Sequence, residues 1–282
     1  MIHIEKPENN VQEIFEDCIS NFRDEDYKSR LQRALPFIES ESYNYDTIAS
    51  SNSLFTMVSS TNVNGIVSVD EMEKLYDRKL VKKGQPGRKH YEKIKLSAKY
   101  NVCPLCDHRT VTTLDHILPK SLYPTFAVTP FNLVPACGDC NKIKSTYAST
   151  SSDDEVVHPY YDDISNEKFL FASLIEDRGN PSFTFYIKTS SPESTIERRL
   201  KKHLELLELN ELYVANAARK LASINYRLSK LFQNGGKQSV HEHLKEEYDS
   251  NFQCNKNSWE TAMYEIIYNN DWFCDGGFKL TS

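Results

Sequence analysis

At 282 residues, with 39% hydrophobic and 26% charged side chains, the chain can bury a sizeable core and has an ordinary soluble makeup. Its net charge of −6 and pI near 5.8 count against a free-standing basic nucleic-acid binder. No apolar run approaches a membrane span, and residues 1–20 lack the basic and apolar regions of a signal peptide.

Taken in order, Asn9 or Asn10 is placed to cap a helix that carries Val11, Ile14, Phe15, Cys18, Ile19 and Phe22 on one face. A second helix, Glu25 to Leu35, is expected to break near Pro36. The Ser-, Asn- and Thr-rich stretch 51–65 reads as a loop. Ser68 and Glu71 have capping-box spacing and open a helix to about Leu80. Gly84-Gln85-Pro86-Gly87 interrupts, and a basic helix, Arg88 to Ala98, follows. Residues 78–99 hold nine Lys and Arg against one acid, Glu92, a local charge of +8. Such a run is either a solvated face or a phosphate-tracking patch, with Lys82, Lys83, Arg88 and Lys89 as its candidate contacts.

The centre of the chain is Cys103 to Lys144. Cys103/Cys106 and Cys137/Cys140 form two Cys-x-x-Cys turns separated by 30 residues. Four thiolates in this spacing make a closed tetrahedral site for structural zinc rather than two disulfides or a redox dithiol. Cys18, Cys254 and Cys274 remain as an odd set, which argues for reduced thiols and a cytoplasmic setting. Thr110 to Leu114 reads as a strand running into Asp115-His116. Asn132 precedes a second short strand, Leu133-Val134, and Asp139 is placed to cap a helix starting near Asn141. A strand-end histidine facing an amide or carboxylate on a helix can hold one divalent ion and one water, the parts that phosphodiester hydrolysis needs. Adjacent strand residues point to opposite faces, so Asp115 and His116 can share a site only if the strand ends there.

Asp115-His116 with Ile117 and Pro119, then Asn132-Leu133, then Cys140-Asn141 with Lys144, resemble the HNH endonuclease family, over about 45 residues. The resemblance implies a ββα-metal core with a zinc knuckle, His116 as general base, and Asp115 and Asn141 as ligands of a catalytic Mg2+ or Mn2+. It makes Asn132 the residue that orients the loop or the His116 ring, and adds Lys144 to the nucleic-acid contacts. The sequence departs from many members at Asn141, where they carry His; an amide oxygen suits Mg2+. His158 is a further candidate ligand, or a packed loop histidine.

After the core, Phe169–Ile175 and Phe183–Lys188 are expected to form a β-hairpin around Asp177 to Pro181. Helices follow at about Glu193–Glu208, Asn210–Phe232 (with Leu212, Ala215, Ala218, Leu221, Ala222, Ile224, Leu228 and Leu231 inward), Ser239–Phe252 and Ser258–Asn269, with a break at Asn234-Gly235-Gly236. The expected fold is therefore α+β and mostly helical: a helical region 1–99, a ββα-metal zinc core 100–165, and a hairpin with helices 166–282. The expected function is endonuclease cleavage of nucleic acid, double-stranded DNA foremost. The core resembles HNH effectors of bacterial anti-phage systems, which implies an ATPase partner. The alternatives are a zinc-stabilised binding module without catalysis and a stand-alone restriction or mobile-element nuclease.

Overall fold

The computed structural model describes residues 1–177 and 180–279. The chain divides into two units, Met1–Ile164 and Ser165 onward. It is mostly helical, with three two-stranded antiparallel sheets among the described residues. No helix among those residues is long and apolar enough to cross a membrane.

In the first unit, α1 (Val11–Ile19) is capped by Asn10, whose side chain accepts from the Gln12 amide, and it buries Val11, Ile14, Phe15, Cys18 and Ile19. Helix α2 (Glu25–Ser50) does not break at Pro36, contrary to expectation. Pro36 and Gln32, whose carbonyl loses its helical partner, are both exposed, so water can satisfy that carbonyl. The buried stripe Leu31, Ala34, Ile38, Tyr45 and Ala49 continues across the site and favours helix on both sides. The expected loop at 51–65 contains β1 (Asn62–Val63), paired with β2 (Val67–Ser68).

Helix α3 (Val69–Leu75) opens with the capping box of Ser68 and Glu71 and continues as a π-helical turn, Tyr76–Val81. Helix α4 (Arg88–Lys95) ends sooner than the basic run does. A Cβ on Gly87 would lie 2.5 Å from Cys18 Sγ and 2.8 Å from the Lys79 carbonyl, so only glycine lets α4 start this close to α1.

Strands β3 (Thr113–His116) and β4 (Leu133–Ala136) pair with His116 opposite Leu133. Helix α5 (Gly138–Lys144) follows directly. Its cap is Cys137, not Asp139, which instead sits in the first turn. Residues 1–99 and the segment around these strands do not have separate interiors. Phe15, Leu31, Met72, Leu80 and Ile94 share one apolar cluster with Leu114, Ala127, Val128 and Leu133. A core of two short strands and a two-turn helix cannot enclose enough apolar surface alone, and the N-terminal helices complete it.

In the second unit, β5 (Leu170–Asp177) pairs with β6 (Asn180–Ile187) in the expected hairpin. The expected turn residues Arg178 and Gly179 lie outside the described residues, and Pro181 belongs to β6. Helices α6 (Thr195–Leu206), α7 (Leu209–Cys254) and α8 (Trp259–Tyr268) follow. Helix α7 joins two helices that were expected to be separate. Only Gly236 leaves helical geometry (φ 64°, ψ −156°), and a glycine adopts this without strain. The inward face of α7 is also rotated from expectation. Tyr213 and Ala217 are buried with Leu221 and Leu228, while Ala215, Ala218 and Ala222 are exposed. Tyr213 packs edge-on against Phe185 at 5.6 Å, covering more apolar area than an alanine face can.

Candidate active site and metal centre

The four cysteines of the two turns converge. Their sulfurs lie within 4.8 Å of one another, and all four residues are buried. Zinc–sulfur bonds of ~2.3 Å place the sulfurs of a tetrahedral site ~3.8 Å apart, so this donor set fits zinc. The Arg109 amide donates to Cys106 Sγ at 3.4 Å, and the Cys140 amide to Cys137 Sγ at 3.3 Å. These bonds support sulfur carrying negative charge. Among the described residues, no other group of three or more His, Cys, Asp or Glu could hold an ion.

Because Cys137 and Cys140 anchor the start of α5, Asn141 comes next to the end of β3. Its Nδ2 donates to the Leu114 carbonyl at 3.2 Å and lies 3.4 Å from Asp115 Oδ1. Strand β3 runs past its expected end at Leu114, pairing Asp115 with Val134 and His116 with Leu133, and even so Asp115, His116 and Asn141 all line one open cleft of about 390 Å3. Glu73, Tyr76 and Lys120 are also part of its wall.

His116 is nearly enclosed. Its Nε2 lies 2.9 Å from the Ala127 carbonyl, which can only accept, so Nε2 carries the proton and Nδ1 keeps its lone pair. The Tyr76 ring meets the imidazole edge-on at 4.5 Å. Burial pushes the imidazole down from 6.5 to about 3, with the Lys120 and Lys144 charges adding to the shift. The ring is therefore neutral across the physiological range.

Asp115 is buried, which raises its carboxyl above the usual range, while the Lys144 ammonium opposes that rise. Asp115 Oδ2 lies 3.4 Å from Lys144 Nζ but makes no hydrogen bond. The cation that faces this buried oxygen is the Lys144 ammonium. Lys144 is corrected by the structure. Its side chain is 0% exposed and Nζ donates to the His116 carbonyl at 2.6 Å, so it is an internal counter-charge and not a nucleic-acid contact.

Asn132 is fully buried and holds the loop between β3 and β4. Its Oδ1 accepts from the Leu118 amide at 2.7 Å, and its Nδ2 donates to the Leu118 and Phe126 carbonyls at 2.9 and 3.2 Å. Of its two expected roles, these bonds serve the loop and not the His116 ring. Tyr45 Oη lies 3.2 Å from both Asn132 Oδ1 and His158 Nε2. His158 Nδ1 accepts from the Tyr160 amide, so Nε2–H donates to Tyr45, which donates onward to Asn132. His158 does not line the cleft; it is a packed histidine bracing the loop from behind.

The basic run is thinner than its sequence. Lys89 pairs with Asp17 at 2.7 Å, Lys93 with Glu8 at 3.4 Å and Lys95 with Glu92 at 3.2 Å. Arg88 is tied to Glu92 and the Val81 carbonyl and stacks on Tyr91 at 4.3 Å. Arg88 is thus engaged within the fold, Lys89 is paired although its side chain is 67% exposed, and Lys82 and Lys83 are exposed. Sequence reasoning missed Tyr76, Glu73 and Lys120. Lys120 follows the motif residue Pro119, a usable signal, whereas nothing near Tyr76 in sequence links it to His116.

No family model matches the chain, and no solved structure matches it. The chain is 26% identical to protein ea31 of Escherichia phage lambda over 294 aligned positions, covering 96% of this chain and 98% of that protein. It is 33% identical to the Septu protein PtuB of Bacillus thuringiensis over 72 residues, which are 26% of this chain and 27% of that one.

Proposed function

We propose that this chain is a metal-dependent HNH-type endonuclease that hydrolyses nucleic-acid phosphodiester bonds, with double-stranded DNA as its first substrate. One observation carries the reading. The neutral His116, with a free Nδ1 lone pair, and the Asp115 carboxylate, backed by Lys144, line one solvent-open cleft with Asn141.

In this reading His116 Nδ1 takes a proton from the attacking water, while the Nε2–H bond to Ala127 keeps the ring in the required tautomer. Asp115 and Asn141 would hold Mg2+ or Mn2+, with the remaining positions left to water and a phosphate oxygen. Asn141 must then turn its amide so that Oδ1, not Nδ2, faces Asp115, giving up the Nδ2 bond to the Leu114 carbonyl. When bound, such an ion neutralises charge on the phosphate and the leaving oxygen. Water oxygen joins phosphorus, the bond from phosphorus to the ester oxygen breaks, and the leaving oxygen is protonated from solvent. Cys103, Cys106, Cys137 and Cys140 would hold a zinc with no open position, whose part would be to keep α5 and Asn141 against β3.

A binding module without catalysis would use the cysteines and Lys82 and Lys83, but would have no need of the His116 tautomer or the Asp115 carboxylate. Nicking of supercoiled plasmid, with and without chelator, tests the reading. Divalent-dependent cutting lost in His116→Ala supports it, and a variant that cuts at the wild-type rate overturns it.

For the setting, we propose anti-phage defence with an ATPase partner, as the resemblance of the core implies. The similarity to the Septu protein supports this. The end-to-end likeness to a phage lambda protein favours a second setting, a mobile-element nuclease acting alone. Plaque counts on cells expressing wild type or His116→Ala separate them. Protection that needs His116 supports defence, and equal plaque counts favour the second setting.

A further inference from the structure

The cleft carries acidic side chains. Glu73 and Asp115 line it, and Asp77 follows one helical turn after Glu73. A phosphodiester entering it meets like charge. Lys120 is the single Lys or Arg among the described residues that line it. Lys144 is sealed behind Asp115 and cannot reach a substrate.

Lys120 is held loosely. Its Nζ lies 3.4 Å from Glu73 Oε1 and 3.8 Å from Asp77 Oδ2, and 5.7 Å from the centre of the Tyr76 ring. The Lys120 side chain is 25% exposed, and the two carboxylates are 33% and 59% exposed. Long, partly exposed ion pairs of this kind contribute little stability and exchange readily. A phosphate oxygen offers the same ammonium a charge-assisted hydrogen bond.

We propose that Lys120 is the residue that grips a substrate backbone phosphate in this cleft, and that Glu73 and Asp77 compete for it until nucleic acid arrives. The assignment rests on the nuclease reading above. It gives the cleft a gate set by charge: phosphate must displace two carboxylates to engage Lys120.

The test measures binding of a short fluorescein-labelled DNA duplex to the full chain carrying His116→Ala, across a salt series. Adding Lys120→Gln should weaken binding about tenfold, as loss of one charged hydrogen bond does. It should also make the log–log salt slope shallower by ~0.9. Lys120→Arg should retain both affinity and slope. Glu73→Gln with Asp77→Asn should tighten binding, because the competing carboxylates are gone. If Lys120 merely tied the loop to α3, the double variant would gain as much affinity in the Lys120→Gln background as without it, and Lys120→Gln would leave the slope unchanged; either result overturns the proposal. Cleavage by the wild-type protein is measured alongside. Wild type that cuts while Lys120→Gln keeps its affinity and slope overturns the Lys120 assignment alone. A wild-type protein that neither binds nor cuts overturns the nuclease reading, and this assignment with it.

Discussion

The ammonium of Lys144 donates to the backbone carbonyl of His116 at 2.6 Å while facing Asp115 Oδ2 at 3.4 Å, so one buried cation fastens the end of β3 to the last turn of α5. Lys144→Met should leave the Asp115 carboxylate buried without its counter-charge. Breaking such a pair costs about 3–5 kcal/mol. Urea unfolding should show this loss. If stability is unchanged and only the salt dependence of DNA binding moves, Lys144 is a phosphate contact after all.

His116→Ala should lower plasmid cleavage by ~10²–10⁴-fold, the usual worth of a general base, with zinc content unchanged. The depressed imidazole also sets a pH expectation. The folded ring titrates near 3 instead of 6.5, so between those values the unfolded chain binds the extra proton. This contribution to stability is present above 6.5 and is lost as pH falls towards 3. Urea midpoints measured over that window should fall less steeply in His116→Gln than in wild type. Parallel slopes would mean that His116 is not held neutral.

Cys137→Ser should unfold the first unit and not only the knuckle. Binding energy at a structural zinc, about 10–16 kcal/mol in small zinc domains, is also folding energy. Leu114 and Leu133, on the strands next to the knuckles, share an apolar cluster with Phe15 and Leu31. Elemental analysis should find about one zinc per chain in wild type. Zinc-free protein with native circular dichroism and full activity would rule out the four-cysteine site.

Asn132→Leu removes the partner of the Leu118 amide, the Leu118 and Phe126 carbonyls and the Tyr45 hydroxyl at once. Each orphaned buried group costs about 1–3 kcal/mol. Loss of stability should come with loss of cleavage, since Ala127, which fixes the His116 tautomer, lies on the loop that Asn132 holds. Cleavage retained at the wild-type rate would separate the loop from the site.

Lys82→Gln with Lys83→Gln should make the salt slope of DNA binding shallower by up to ~0.9 for each phosphate no longer neutralised. Lys89→Gln should change it little, because Lys89 is already paired with Asp17 at 2.7 Å. Equal effects from both variants would show that the Lys89–Asp17 pair opens on binding.

Local signals carried the capping box at Ser68, the Asn10 cap, the β5–β6 hairpin and the cysteine turns, because each depends on residues a few positions apart. The same holds for the neighbourhood of Asp115, His116 and Asn141, since the cysteine spacing already ties α5 to the β3–β4 hairpin. Where local rules conflicted with burial, burial prevailed: α2 runs through Pro36 because its apolar stripe continues beyond that residue, and α7 turns Tyr213 inward at the expense of alanines. Charge was the least legible property. A count of lysines cannot tell Lys82, which is exposed, from Lys89, which is paired, or from Lys144, which is sealed inside. Nor could sequence bring Tyr76 against His116 or the Glu73 and Asp77 carboxylates against Lys120. The residue types and their spacing determined which chemistry the chain can carry. Only the tertiary structure decided which charges face that chemistry, because Coulomb energies and desolvation depend on distances between elements far apart in the chain.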